Sequence, residues 1–210
     1  MSSVALLILG PVLLGLTTAD PVMPGVGTKI CIKGYIMDFY CITLGVLFDN
    51  RNIPTLSADG PTSHSVHCLI DVPQCIASPY EVLNLLDDGT SYGRAWRLES
   101  NDEIVAHAHE FGSCSGCQQN TKGDGFIEKG FRATLNATVT EIGSGNMPTK
   151  IVVTQVNAYE DFETICGTEE FVVPNMVTSS GGLMTKIYVY GSLMLIGWGF
   201  LLPSGAIIAK

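Results

Sequence analysis

Basic residues and histidines are scarce in this chain of 210 residues. It has 11 Lys and Arg against 20 Asp and Glu, a formal net charge of −9, and four histidines. Nucleic-acid binding depends on Lys and Arg that displace counterions from phosphates, so the acidic balance argues against nucleic acid as a partner. The sequence also lacks a phosphate-binding loop, an internal repeat and a convincing acid–base pair of carboxylates. We therefore assign no catalytic residue.

Charge is missing altogether from residues 2–16, where the run VALLILGPVLLGL has the length of a signal-peptide core. Thr17 and Ala19 then place small residues at the two positions that a signal peptidase recognises, and a spanning helix needs about 20 apolar residues. We expect residues 1–19 to be a secretory signal and residues 20–27 to be a Pro/Gly leader. The main domain is therefore expected to be extracytoplasmic, in a membrane of the secretory pathway or at the cell surface.

Seven cysteines in an oxidising compartment predict a disulfide framework, most simply three bridges and one spare thiol. Spacing does not give the connectivity, and the odd count leaves open a free thiol, an intermolecular bridge or a metal ligand. The sequon Asn136-Ala137-Thr138 fits the same compartment, so we expect a glycan on Asn136. The disulfide candidates are Cys31, Cys41, Cys68, Cys75, Cys114, Cys117 and Cys166.

The clearest secondary-structure signal is the alternation of apolar and polar residues over residues 131–142. This period of two predicts a half-buried strand with Asn136 on its solvent face. Residues 149–159 are rich in β-branched side chains and follow the turn-like GSGNMP, so the two segments are expected to pair as a hairpin.

Further strands are expected at residues 91–99 and 103–111, and residues 78–86 are expected to form a short helix with Ser78 as its cap. With no long amphipathic helix in the sequence, we predict that residues 28–173 form a mainly β domain. Its expected architecture is an antiparallel sandwich or barrel braced by disulfides.

Residues 187–209 are 23 consecutive residues without a charge. As an α-helix they would reach about 34 Å, enough to cross a hydrocarbon core of about 30 Å, and Tyr188 and Tyr190 would lie at one interface. We expect a transmembrane helix in contact with membrane lipid, preceded by a linker over residues 174–186. The small residues at 178–182, followed by a spacer and an apolar tail, also fit a lipid-anchor signal, and both kinds of attachment stay open.

The closing stretch GSLMLIGWGFLLPSGAIIAK, residues 191–210, resembles the first core helix of the cytochrome b561 family, in the branch fused to extracellular domains. The resemblance implies a transmembrane electron-transfer unit with haem held by histidines, and Tyr190 stands where the family has a haem-associated histidine. The family's later helices are not in these 210 residues, so a truncated unit is implied, with other transmembrane helices or a redox partner beside it. The matching positions are Gly191, Leu193, Met194, Trp198, Gly199, Leu201, Leu202, Pro203, Gly205, Ala209 and Lys210.

Two groups of residues combine histidine with cysteine and are candidate metal ligands. We favour the second group, because on a strand two histidines at positions i and i+2 point the same way and two cysteines could complete a tetrahedral zinc or copper site. Disulfides are the alternative for its cysteines; a redox CxxC is disfavoured because a turn-like stretch, not a helix, follows it. The first group is His64, His67, Cys68 and Cys75; the second is His107, His109, Cys114 and Cys117.

The sequence thus predicts a membrane-anchored extracytoplasmic domain linked to a truncated cytochrome b561-like electron-transfer unit. The alternative is a non-catalytic cell-surface binding protein with a simple membrane or lipid anchor, binding metal through its paired His and Cys. Haem is implied only by the resemblance, and zinc or copper only by the His/Cys groups. If the chain is redox-active, we expect it to be a component of transmembrane electron transfer.

Overall fold

The computed structural model describes residues 23–111, 129–167 and 171–179. The expectations for the signal at 1–19, for Cys114 and Cys117, and for Tyr190 and the helix at 187–209 lie outside these residues. No helix in the described part is long and apolar enough to cross a membrane. The strands are β1 (Lys29–Asp38), β2 (Tyr80–Leu85), β3 (Tyr92–Leu98), β4 (Arg132–Glu141) and β5 (Thr149–Ala158).

Most of the helices lie between β1 and β2. One longer helix connects β3 to β4, and a 3₁₀ turn and a short helix follow β5. In chain order the helices are α1 (Phe39–Leu44), α2 (Gly60–Ser63), α3 (Val66–Asp71), α4 (Pro73–Ile76), α5 (Asp102–Phe111) and α6 (Phe162–Cys166), with the 3₁₀ turn at Tyr159–Asp161.

The five strands close into a barrel in the order β1-β2-β3-β5-β4. All neighbouring strands are antiparallel except β3 and β5, which run parallel from Trp96↔Thr149 to Leu98↔Ile151. The prediction of a mainly β fold is confirmed, as a barrel, but its sheet is mixed and not purely antiparallel.

The predicted hairpin is confirmed by the antiparallel pairing of β4 with β5. The alternation along β4 is also confirmed, because its apolar side chains fill the barrel interior. Asn136 lies on the outer side, partly exposed, and its Nδ2 donates to Gln155 Oε1 at 3.1 Å. The inward residues are Phe131, Ala133, Leu135, Ala137 and Val139.

The predicted strand at residues 103–111 is wrong: these residues belong to α5. Ile104 and Ala108, one helical turn apart, are fully buried in the barrel's core cluster, whereas Ala106 between them is exposed. Residues four apart lie on the same face of a helix, so a helix buries positions 104 and 108 and leaves position 106 exposed. A strand would have buried position 106 as well.

The predicted helix at residues 78–86 is also wrong, because these residues contain β2. Val82 faces the barrel core, and Leu83 on the other side packs into a second apolar cluster. A strand covered on both faces has no alternation to distinguish it from a buried helix. Ser78 caps no helix here; its Oγ accepts from Tyr40 N–H at 3.1 Å and donates to the Cys75 carbonyl at 2.9 Å.

The second apolar cluster lies outside the barrel, where the α1–α4 segment packs against β1, β2 and β3. Cysteine side chains form part of this cluster together with aliphatic and aromatic ones. Its buried members are Met37, Cys41, Ile42, Leu47, Cys68, Cys75, Leu83 and Tyr92.

Among the five described cysteines, one bridge of the expected disulfide framework is present. It joins Cys31 on β1 to Cys166 at the end of α6, with a Cα–Cα distance of 5.5 Å across 135 residues of chain. Cys41, Cys68 and Cys75 are buried free cysteines. Residues 174–179, at the start of the predicted linker, lie against the barrel, because Val177 pairs with Arg94 through two backbone hydrogen bonds of 2.8 and 3.0 Å.

Candidate metal centre

Three cysteine sulfurs meet in the second apolar cluster. Cys68 Sγ lies 3.8 Å from Cys41 Sγ and 3.2 Å from Cys75 Sγ. A carboxylate oxygen of Asp38 completes the group, and these four ligand atoms all lie within 4.8 Å of one another. All four residues are fully buried. The structure therefore gathers three thiols and one carboxyl in a volume that water does not reach.

Short helices place the sulfurs. Each cysteine is the third residue of its helix: Cys41 in α1, Cys68 in α3 and Cys75 in α4. Two of the helix starts are fixed by caps, since Asp38 Oδ1 accepts from Cys41 N–H at 2.8 Å and Ser65 Oγ accepts from Cys68 N–H at 3.0 Å. Capping fixes the backbone of the first turn, and with it the direction of the cysteine side chain.

His64 borders the group from the end of α2 and is 1% exposed. Its Nε2 lies 3.0 Å from Asp38 Oδ2. These two atoms are within ion-pair distance and partner each other, whereas His64 Nδ1 has no hydrogen-bond partner among the described residues. A buried polar atom without a partner costs about 1–3 kcal/mol, so this nitrogen beside three thiols marks a polar cluster that the described residues do not fully satisfy.

Electrostatic contacts couple His64 and Asp38 to the three thiols of the centre. Burial opposes protonation of His64, but contacts with Asp38 and with the thiols outweigh it and raise the pKa of His64. Burial raises the pKa of Asp38, partly offset by His64. Contacts with Cys68 and Cys75 lower the pKa of Cys41, and the contact with Cys41 raises the pKa of Cys68 to about 11.

The donor set suits a soft or borderline metal ion. Thiolates select zinc and copper(I), and structural zinc sites are tetrahedral with four protein ligands. Zinc–sulfur bonds of about 2.3 Å place tetrahedral sulfur ligands about 3.8 Å apart. The Cys41–Cys68 separation of 3.8 Å meets this value, whereas the Cys68–Cys75 separation of 3.2 Å must widen slightly. Three sulfurs and Asp38 supply four ligands, and His64 stands behind Asp38 as an orienting partner.

Of the first His/Cys group in the sequence, the structure brings together His64, Cys68 and Cys75. His67 takes no part, since its Nδ1 contacts Asp71 Oδ2 at 2.8 Å one turn along α3, on a partly exposed side chain. Sequence reasoning missed Asp38 and Cys41 as members of the centre. The signal that could have found them is a cap residue three positions before a cysteine, which occurs at Asp38–Cys41 and again at Ser65–Cys68.

The favoured second group does not form the predicted strand pair. His107 and His109 lie on α5, where residues two apart point about 200° apart and do not share a face. The His107 ring packs against Phe131 with the centroids 6.2 Å apart, and His109 is exposed. The assumption that these two histidines face one ligand together is therefore wrong.

Comparison of this chain with protein-family models, with curated proteins and with solved structures found no match. The fold and the site therefore define only a class: a disulfide-bridged β-barrel that carries a buried cluster of three thiols and a carboxyl.

Proposed function

We propose that this protein is an extracytoplasmic metal-binding domain in which Asp38, Cys41, Cys68 and Cys75 hold one zinc ion. The observation that carries the proposal is the convergence of four buried ligand atoms within 4.8 Å. They come from parts of the chain as far apart as Asp38 and Cys75, so local sequence does not force them together.

A metal ion accounts for the whole group, whereas a disulfide accounts for part of it. Three thiols cannot all pair with one another, so one bridge leaves a third buried thiol beside Asp38 and His64. A divalent cation offsets part of the negative charge of three thiolates and a carboxylate, and it bonds to every ligand atom of the group. This compensation supports the metal over a reduced, empty cluster.

The centre supports a non-catalytic role. All four ligand positions come from protein groups, which is the pattern of closed structural sites, and catalytic zinc keeps one position open for water or substrate. The ion would hold α1, α3 and α4 together on the barrel, so that binding energy contributes directly to folding of this segment.

The test is the metal content and the cobalt spectrum of the purified protein. We expect about one zinc per chain, and cobalt substitution should give intense thiolate-to-metal absorption. Cys41→Ser should weaken that absorption by roughly one thiolate's share. Asp38→Asn keeps the capping oxygen but removes the charge, and should lower zinc affinity at least 10–100-fold.

His67→Ala is the matched control for these variants, because His67 lies on α3 next to Cys68 without joining the cluster. It should keep both the zinc and the cobalt spectrum. The proposal is lost if the protein takes up no stoichiometric zinc when folded in its presence.

We further propose that this domain is attached to a membrane beside a cytochrome b561-like electron-transfer unit. The support is the uncharged segment at 187–209, with its likeness to the first core helix of that family and Tyr190 at the haem-associated position. The apolar residues 2–16 support export, and the partly exposed Asn136 on the barrel exterior leaves room for a glycan.

Three measurements test this second proposal. Membrane fractionation and phospholipase treatment distinguish a spanning helix from a lipid anchor. A reduced-minus-oxidised spectrum should show a b-type band if haem is bound, and reading the coding sequence beyond Lys210 shows whether histidine-bearing helices follow. The proposal is contradicted if the protein is found in the soluble fraction of lysed cells and shows no b-type band.

A further inference from the structure

We infer that Cys68 and Cys75 form a disulfide when the metal is absent, so that the metal-bound centre and this disulfide are alternative states, and that a peroxide-class oxidant converts the first into the second. The inference rests on the proposed function, because a bound metal is what keeps the two thiols reduced. It adds to that function a redox control of metal binding, located in the metal site itself.

The geometry selects this pair over the other thiols. The Cys68–Cys75 sulfur separation of 3.2 Å is shorter than the 3.8 Å between Cys41 and Cys68. A disulfide needs about 2.05 Å between sulfurs, so the pair must approach by roughly 1 Å. Cys68 and Cys75 lie on consecutive short helices, α3 and α4, separated only by Val72. A small rotation of one short helix is therefore enough.

The burial of the sulfurs limits the oxidant to a small molecule. All three cysteines are 0% exposed, so a bulky disulfide donor, whether a peptide or a protein, cannot bring its sulfur in line with theirs. Hydrogen peroxide is little larger than water and can enter through a brief local opening. The co-reactant is therefore a small peroxide.

The chemistry balances in two steps. One thiolate of the pair attacks peroxide, so that a sulfur–oxygen bond forms, the oxygen–oxygen bond breaks and hydroxide leaves. The second thiol then attacks the sulfenic sulfur, which forms the sulfur–sulfur bond and releases the second oxygen as water. Two thiols lose two electrons and two protons, and peroxide is reduced to two waters.

The consequence for the centre is loss of half its ligands. With Cys68 and Cys75 joined, only Cys41 and Asp38 remain of the four, and two ligands do not hold zinc against solvent. Reduction of the bridge to two thiols restores the site. Binding then reports the local redox state as well as the metal supply.

The experiment compares the zinc-loaded protein with the same protein stripped by a chelator. Each is treated with a small excess of hydrogen peroxide, released zinc is followed with a chromogenic chelator, and disulfides are located by non-reducing peptide mapping. We expect the Cys68–Cys75 bridge in both samples, faster in the stripped one, with about one zinc released per chain from the loaded one. Dithiothreitol in denaturant, followed by refolding with zinc, should restore binding.

Two variants test which cysteines form the bridge. Cys41→Ser should still form the Cys68–Cys75 bridge in stripped protein, whereas Cys75→Ser should not form any bridge at Cys68. The wild-type peptide map decides the question even if either variant fails to fold. A Cys41–Cys68 bridge in wild type, or zinc that stays bound through peroxide treatment, overturns this inference but leaves the proposed function standing. A chain that never takes up zinc overturns the proposed function, and the exchange with it.

Discussion

At the scale of single residues, the metal centre shows which parts of a site a sequence can reveal. His64, Cys68 and Cys75 lie within twelve positions, so their proximity along the chain marks them as a group. Cys41 lies 27 residues before Cys68, and only the packing of α1 and α3 around α4 brings their sulfurs to 3.8 Å. Asp38 and Cys41 carried no local metal-binding spacing, so sequence reasoning did not find them.

A second buried group at this scale is Glu81 between two arginines. Arg94 donates to it through Nε at 2.6 Å and Nη2 at 2.9 Å, and Arg97 through Nε at 2.8 Å. The Phe39 ring at the start of α1 lies against both guanidinium groups, at 5.1 and 4.1 Å from their carbons. One carboxylate thus compensates two buried cations that also contact the helix carrying Cys41.

Glu81→Gln should therefore lower the free energy of unfolding by about 3–5 kcal/mol, because it leaves two buried cations without an anion. Urea unfolding followed by circular dichroism measures the change. The matched control is Glu160→Gln, which removes the carboxylate of the exposed pair with Arg132 and should cost about 0–1 kcal/mol. Equal effects of the two substitutions would contradict the assigned role of Glu81.

At the scale of secondary-structure elements, the strand expected at residues 91–99 is confirmed as β3, and the two strands of the predicted hairpin carry the most distinctive patterns. β4 has one apolar and one polar face, and β5 is rich in β-branched residues after a turn. β2 lacked such a pattern because helices cover its outer face as the barrel covers its inner face. Periodicity detects an element through the contrast between its faces, and β2 has none.

The assignment of α5 as a helix has a direct test in a pair of alanines. Ala108 is fully buried and Ala106 is exposed, although on a strand both would lie on one face. We expect Ala108→Asp to destabilise the domain severely, because it buries an unpaired charge, and Ala106→Asp to change stability by less than about 0.5 kcal/mol. Thermal unfolding of the two variants measures the difference, and similar melting temperatures would contradict the helix.

At the scale of the whole molecule, closure of the barrel was beyond prediction from the sequence. It depends on the parallel contact of β3 with β5, whose partners Trp96 and Thr149 are far apart in the chain. Local patterns determine which segments are extended, whereas the partner of each strand depends on the packing of the entire domain.

The Cys31–Cys166 bridge acts at the same scale, since it links the first strand to the last helix. Replacing both cysteines by serine should lower the free energy of unfolding by about 4–5 kcal/mol, because a bridge across so long a loop restricts the unfolded chain strongly. Urea titration of the double variant measures this loss. Zinc content should not change, because neither cysteine belongs to the cluster around Cys41; its loss would contradict the separation of the two sites.

The pairing of Val177 with Arg94 has a mechanical consequence. Besides the two backbone hydrogen bonds, Arg94 Nη1 donates to the Ser179 carbonyl at 3.2 Å. Arg94 therefore binds residues 177–179 through both its main chain and its side chain. Any load applied beyond residue 179 reaches β3 first, at the strand whose arginines enclose Glu81. Because the Arg94 guanidinium also lies against the Phe39 ring, such a load would next reach the start of α1, the helix that carries Cys41.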